Sequence, residues 1–188
     1  MTDMILFHHA LGLTEGVEAF ADALRAAGHR VTVPDLYDGA TFATIEDGVA
    51  HAEHIGMDEI IDRGVAVAQN LPENMVYAGF SLGVLPAQKL AQTRSGALGA
   101  LLYHEGLAAS TFGDSWPDQV ALQVHLTEHD EWSELDVARE LVDGAADGEL
   151  FLYRGSAHLF TDQSFTEYDP DATKLVLQRS IAFLSRWT

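Results

Sequence analysis

Short apolar, β-branched runs alternate with stretches of helical period along the whole chain. Six runs read as buried strands, at 4–8, 30–34, 75–79, 98–104, 120–127 and 150–154. Between the first two, Val17, Phe20, Ala21 and Leu24 recur at helical spacing behind a Thr14 cap, and Gly28 stands where that helix should stop. Residues 82–94, 133–146 and 171–187 read as further helices, the last with an apolar stripe of Leu177, Ile181 and Leu184. Pro86 lies early in the first of these three, where a missing donor predicts a slight kink. Residues 41–71 mix Gly48, Gly56 and Gly64 with helical periodicity and read as a loop or lid followed by a helix. The alternation predicts an α/β fold built on a mainly parallel sheet of about six strands flanked by helices.

At 188 residues, 47% of them hydrophobic, the chain predicts a single domain over 1–188 with an ample core. The absence of cysteine excludes disulfides, thiolate zinc sites and a cysteine nucleophile. Neither a signal peptide nor a membrane span is predicted, which gives a cytoplasmic expectation. A net charge of -19, with 29 acidic residues dispersed among 10 basic ones, disfavours nucleic-acid and membrane partners and predicts a solvated surface.

The chemistry gathers at predicted strand ends. Gly79-Phe80-Ser81-Leu82-Gly83 places a serine between glycines directly after the third strand, the layout of a nucleophile elbow, although a serine there also suits a helix cap. In a parallel sheet, reactive groups collect beyond the carboxyl ends of the strands. Asp130 follows the fifth strand and His158 the sixth, so the chain order is Ser, Asp, His. A serine hydroxyl needs a base to take its proton, and the base needs a carboxylate to orient it. These roles fall to Ser81, His158 and Asp130, with Glu128 and Glu131 as rivals for the third. The backbone N–H groups of Leu82 and Ala10 are the expected oxyanion donors.

Nine histidines are many for this length, and His8, His9, His104 and His129 fall at strand ends, yet no zinc-helix spacing occurs and no metal site is predicted. His9 and His104, with the aromatic residues Tyr37, Trp116 and Phe160, are candidates to line a small apolar pocket. Residues 105–118, with Gly106, Gly113 and Pro117, read as a mobile connection that gates it.

The chain resembles the dienelactone hydrolase family of α/β-hydrolases. The resemblance runs through His9-Ala10-Leu11-Gly12-Leu13, Val33-Pro34-Asp35-Leu36-Tyr37, the elbow, the Asp130 loop and Tyr153-Arg154-Gly155-Ser156-Ala157-His158-Leu159-Phe160. It implies an α/β-hydrolase fold with a reduced N-terminal part, no cofactor, and hydrolysis of a small-molecule ester or lactone through an acyl-enzyme. Three positions depart from the family pattern. Ser81 stands where the namesakes use cysteine, His9 replaces a glutamate that faces that cysteine, and Thr161-Asp162 occupies the place of a carboxylate-binding arginine. These departures count against dienelactone itself as substrate. They also leave open an alternative in which the hydrolase fold has lost turnover and binds a small molecule.

Overall fold

The computed structural model describes residues 1–188. Six parallel strands, β1 (Asp3–Phe7), β2 (Arg30–Thr32), β3 (Met75–Phe80), β4 (Ala97–Tyr103), β5 (Ala121–Thr127) and β6 (Gly148–Tyr153), form one sheet in the order β2-β1-β3-β4-β5-β6. Their side chains alternate between two cores. Ile5, Phe7, Met75, Tyr77, Ala100 and Leu102 enter one, and Met4, Leu6, Val76, Ala78, Leu101 and Tyr103 enter the other. Both faces are covered, so the central strands read as continuous apolar runs.

Helices α1 (Glu15–Ala26) and α6 (Pro170–Leu184) cover one face through Val17, Phe20, Leu24, Val176 and Phe183. Thr14 caps α1 by accepting from the Val17 N–H at 3.2 Å. Helices α2 (Ile45–Ile55), α3 (Met57–Ala68), α4 (Val84–Thr93) and α5 (Leu135–Asp143) cover the other through Ala52, Ile60, Val84, Leu90, Ala138 and Leu141. Each large aliphatic or aromatic side chain fully buried this way contributes about 1.5–3 kcal/mol. No helix is long and apolar enough to cross a membrane.

Several boundaries differ from the sequence expectation. The second strand stops at Thr32, because Pro34 on this edge strand has no N–H to give a ladder. Residues 41–71 hold two successive helices rather than a loop and one helix. Thr44 caps α2, and Gly56, at φ 98°, turns the chain directly into α3. The other glycines of this stretch mark close approach: a Cβ on Gly48 would strike the Ala10 carbonyl, and one on Gly64 would press Pro86 and Phe7. Pro86 falls in the first turn of α4, where amides have no intrahelical acceptor, so it removes no bond from the helix interior.

The connection 105–118 is anchored. Gln88, fully buried on α4, accepts from the Leu107 N–H at 3.0 Å and donates to the Leu107 carbonyl at 2.8 Å. Gln92 donates to the Ala109 carbonyl at 2.9 Å, and the Trp116 indole donates to the Val120 carbonyl at 2.7 Å.

Candidate active site

The elbow is a sharp turn between β3 and α4, with Ser81–Gly83 forming a short 3₁₀ turn. Ser81 sits at φ 48°, a left-handed conformation costing a non-glycine residue about 1 kcal/mol or more. The flanking glycines are required by space. A Cβ on Gly79 would collide with the Gly83 carbonyl, and one on Gly83 would collide with the carbonyls of Phe7 and His8 on the neighbouring strand. The serine caps nothing, since α4 begins after Gly83 without a side-chain cap. Its hydroxyl points instead to His158, with Oγ 2.7 Å from Nε2.

On its other side the His158 ring holds Asp130, with Nδ1 to Oδ2 at 2.7 Å. The Asp130 side chain is 1% exposed, and its second oxygen accepts from the Trp132 N–H at 2.9 Å. Glu128 and Glu131 are exposed, so the carboxylate beside the imidazole is Asp130. Gly155, at φ 107°, turns the chain out of β6 toward His158. Three loops from separate strands thus deliver a continuous hydroxyl, imidazole and carboxylate. Such an arrangement can draw a proton from the hydroxyl and stabilise the imidazolium that results.

Ser81 and His158 open into a cavity of about 350 Å³. Ala10 and Leu82 border it, and no backbone carbonyl accepts from the Ala10 N–H. Ile45, Val49 and Met57 come from α2 and α3, Leu85 from α4, and Leu107 and Trp132 from loops. One further polar side chain joins this wall, Glu105, whose carboxyl is pushed up to about 7 by burial.

The five pocket candidates other than the backbone donors do not line this cavity. His9, Tyr37, His104, Trp116 and Phe160 are all buried in the protein interior, each with a partner that explains the burial. The His9 Nε2 lies 2.8 Å from Asp162 Oδ2, and the Tyr37 hydroxyl donates to the Gly48 carbonyl at 3.2 Å. His104 stands behind His158, ring centroids 5.9 Å apart, with its Nε2 on the Thr161 hydroxyl at 2.7 Å and Phe160 edge-on at 4.8 Å. Burial holds the His104 imidazole well below its usual range, so it is neutral. Trp116 belongs to the anchored 105–118 connection. Large aromatic groups at strand ends found the core instead of the cavity. The histidines diverge as well: no group of three or more histidine and carboxylate side chains is placed to hold a metal ion.

Sequence reasoning passed over Glu105 and Trp132 as wall residues. Glu105 follows a strand on the reactive edge, so the strand-end rule that found Asp130 and His158 also points to it. For Ile45, Val49 and Met57 no local signal existed, because their place depends on how α2 and α3 lie over the site.

The family profile described as the dienelactone hydrolase family matches residues 2–188. The chain belongs to the dienelactone hydrolase family. Membership makes it a hydrolase acting on ester bonds. No curated protein sequence matches it. Among solved structures, a dienelactone hydrolase-like promiscuous phosphotriesterase from metagenomic libraries superposes with a TM-score of 0.77 at 17% identity, covering 99% of this chain and 86% of that one. A cold-adapted esterase from an Arctic intertidal metagenomic library gives 0.68 at 17% identity, covering 98% and 82%. At such identities the likeness shows the fold, the α/β-hydrolase architecture that the dienelactone hydrolases share with these esterases.

Proposed function

We propose that this protein is a single-domain serine hydrolase that cleaves a small carboxylic ester or lactone through an acyl-enzyme. The observation that carries the reading is the unbroken pair of 2.7 Å contacts from Ser81 through His158 to Asp130. Ser81 Oγ attacks the ester carbonyl carbon as its proton passes to His158 Nε2. The backbone N–H groups of Leu82 and Ala10 receive the oxyanion. On collapse the bond to the leaving oxygen breaks, and Nε2 returns the proton to that oxygen. Water then attacks the acyl-serine with His158 as base, releasing the acid and restoring Ser81. Asp130 keeps the imidazole in the tautomer that accepts at Nε2 and stabilises its charged form.

A cavity of about 350 Å³ walled by aliphatic groups suits a small, largely apolar acyl or alcohol part. Ser81→Ala is expected to abolish hydrolysis of a short-chain aryl ester and to abolish covalent labelling by a fluorophosphonate. Retention of either by the folded variant would overturn the assignment. A folded wild type that resists labelling while binding a small ester would support the non-catalytic alternative.

A further inference from the structure

Of the eleven residues around the cavity, eight are hydrophobic, and Ser81 and His158 are assigned to the chemistry. Glu105 is the remaining one. No lysine or arginine lines the wall, and Glu105 takes part in no ion pair with a basic residue. His104, at φ 68°, turns the chain at the end of β4 so that the next side chain enters the cavity wall. One carboxyl oxygen of Glu105 accepts from the Gly106 N–H at 2.9 Å, and the other has no donor from the protein.

We propose that Glu105 sets the substrate class: the ester or lactone carries a hydrogen-bond donor, a hydroxyl or an ammonium, on an otherwise apolar skeleton, and a free carboxylate is excluded. This rests on the ester-hydrolase reading above. When a substrate fills an apolar cavity it strips water from the polar groups in the wall, and an acceptor left without a donor penalises the complex. A substrate donor removes that penalty, and an ammonium adds charge attraction. A substrate carboxylate meets a like-charged group with no cation to offset it. Because burial raises the Glu105 carboxyl to about 7, the wall changes from a neutral acid to an anion near neutrality. The groups facing it are His158 and, as acids, Asp130 and Glu134.

The test uses a matched set of short methyl esters whose acyl chain ends in a methyl, a hydroxyl, a primary amine or a carboxylate, with kcat/KM followed by proton release. Wild type is expected to favour the hydroxyl and amine members over the methyl member by about tenfold and to disfavour the carboxylate member by a similar factor. In Glu105→Gln the amine preference should fall and the carboxylate discrimination relax. A second readout needs no variant. The amine-to-methyl ratio of the wild type should rise as pH passes from below to above neutrality, and effects on the groups that every substrate uses cancel from that ratio. Ratios of kcat/KM among the four substrates that are the same in wild type and Glu105→Gln, or an amine-to-methyl ratio flat with pH, overturn the proposal alone. If wild type hydrolyses none of the four, both this proposal and the ester-hydrolase reading fall.

Discussion

His9 Nε2 and Asp162 Oδ2 stand 2.8 Å apart with both side chains about 1% exposed, joining the loop after β1 to the loop after His158. Two of the three positions that depart from the family pattern are thus each other's partners. Asp162 also accepts from the Thr14 hydroxyl at 2.6 Å and from the Ser164 N–H at 2.7 Å; burial alone would raise its carboxyl, but the bond with His9 and those from Ser164 and Thr14 together hold it well below the usual carboxylate range. Gly16 packs so closely on Asp162 that a Cβ there would overlap it. Asp162→Asn is expected to cost about 3 kcal/mol, since it strips a buried acceptor from several donors. It should lower kcat more than it changes KM, because the pair lies outside the cavity wall but spans the loops that carry Ala10 and His158. Urea denaturation and steady-state kinetics check both; unchanged stability would show that the pair contributes nothing.

Acid should destabilise the fold above the pH range of ordinary carboxylates, because three buried histidines outweigh Glu105, whose carboxyl is raised to about 7 by burial and which alone gains stability as pH falls toward 4.5. Burial lowers His8 from 6.5 to about 4 and His125 to about 3, and drives His104 well down. Between 6.5 and those values the unfolded chain binds more protons than the folded one, so stability falls as pH falls. Each group contributes up to about 1.4 kcal/mol per pH unit in its window. Asp162 adds its own loss only below about pH 4, the unfolded carboxylate value. Urea denaturation at a series of pH values should therefore show the decline starting near 6.5. His125→Phe, whose ring can stack on Phe151 as the imidazole does at 5.2 Å, should make the slope shallower.

Gly83→Ala tests the elbow. The added methyl meets the main chain of β1, which is held by β2 and β3 on either side and has no room to yield. A loss of about 2–3 kcal/mol is expected, together with loss of esterase activity as Ser81 is displaced. Gly113→Ala is the control: its Cβ would approach nothing closer than 3.4 Å, and stability should stay within about 0.5 kcal/mol. Equal thermal midpoints for the two variants would refute the argument.

Gln88→Leu should leave both the N–H and the carbonyl of Leu107 without their side-chain partner. About 2–3 kcal/mol of destabilisation is expected, with a raised KM because Leu107 belongs to the cavity wall. Amide hydrogen exchange at Leu107 should quicken; protection equal to the wild type would show that the clamp is idle.

The sheet was legible because its central strands are covered on both faces, which leaves apolar runs bounded by turn residues. Ser81, Asp130 and His158 were legible because parallel strands all end on one edge, so residues far apart in sequence had one place to meet. The choice among Glu128, Asp130 and Glu131 turns on which carboxylate points inward, which three acids within four positions of a loop do not reveal. The cavity wall was misread for a related reason. Tyr37, Trp116 and Phe160 lie in or beside loops on this edge, but each packs into the interior, and Ile45, Val49 and Met57 from α2 and α3, with Trp132, face the cavity instead. Gly48, Gly56 and Gly64 looked like loop formers, whereas two of them exist so that helices can lie against Ala10 and Pro86.

Ile45, Val49 and Met57 all belong to one uninterrupted insert between β2 and β3, while Ser81, Asp130 and His158 arise only after it. One part of the cavity wall therefore comes from a stretch of chain that carries none of the three proposed catalytic side chains, while Leu85, Glu105, Leu107 and Trp132 supply the rest from the stretch that does. That two-helix roof rests on Ala10 through Gly48 and on Pro86 through Gly64, so a change in the size of Ile45, Val49 or Met57 at its underside alters the room in the cavity without touching the seats that join the roof to the elbow.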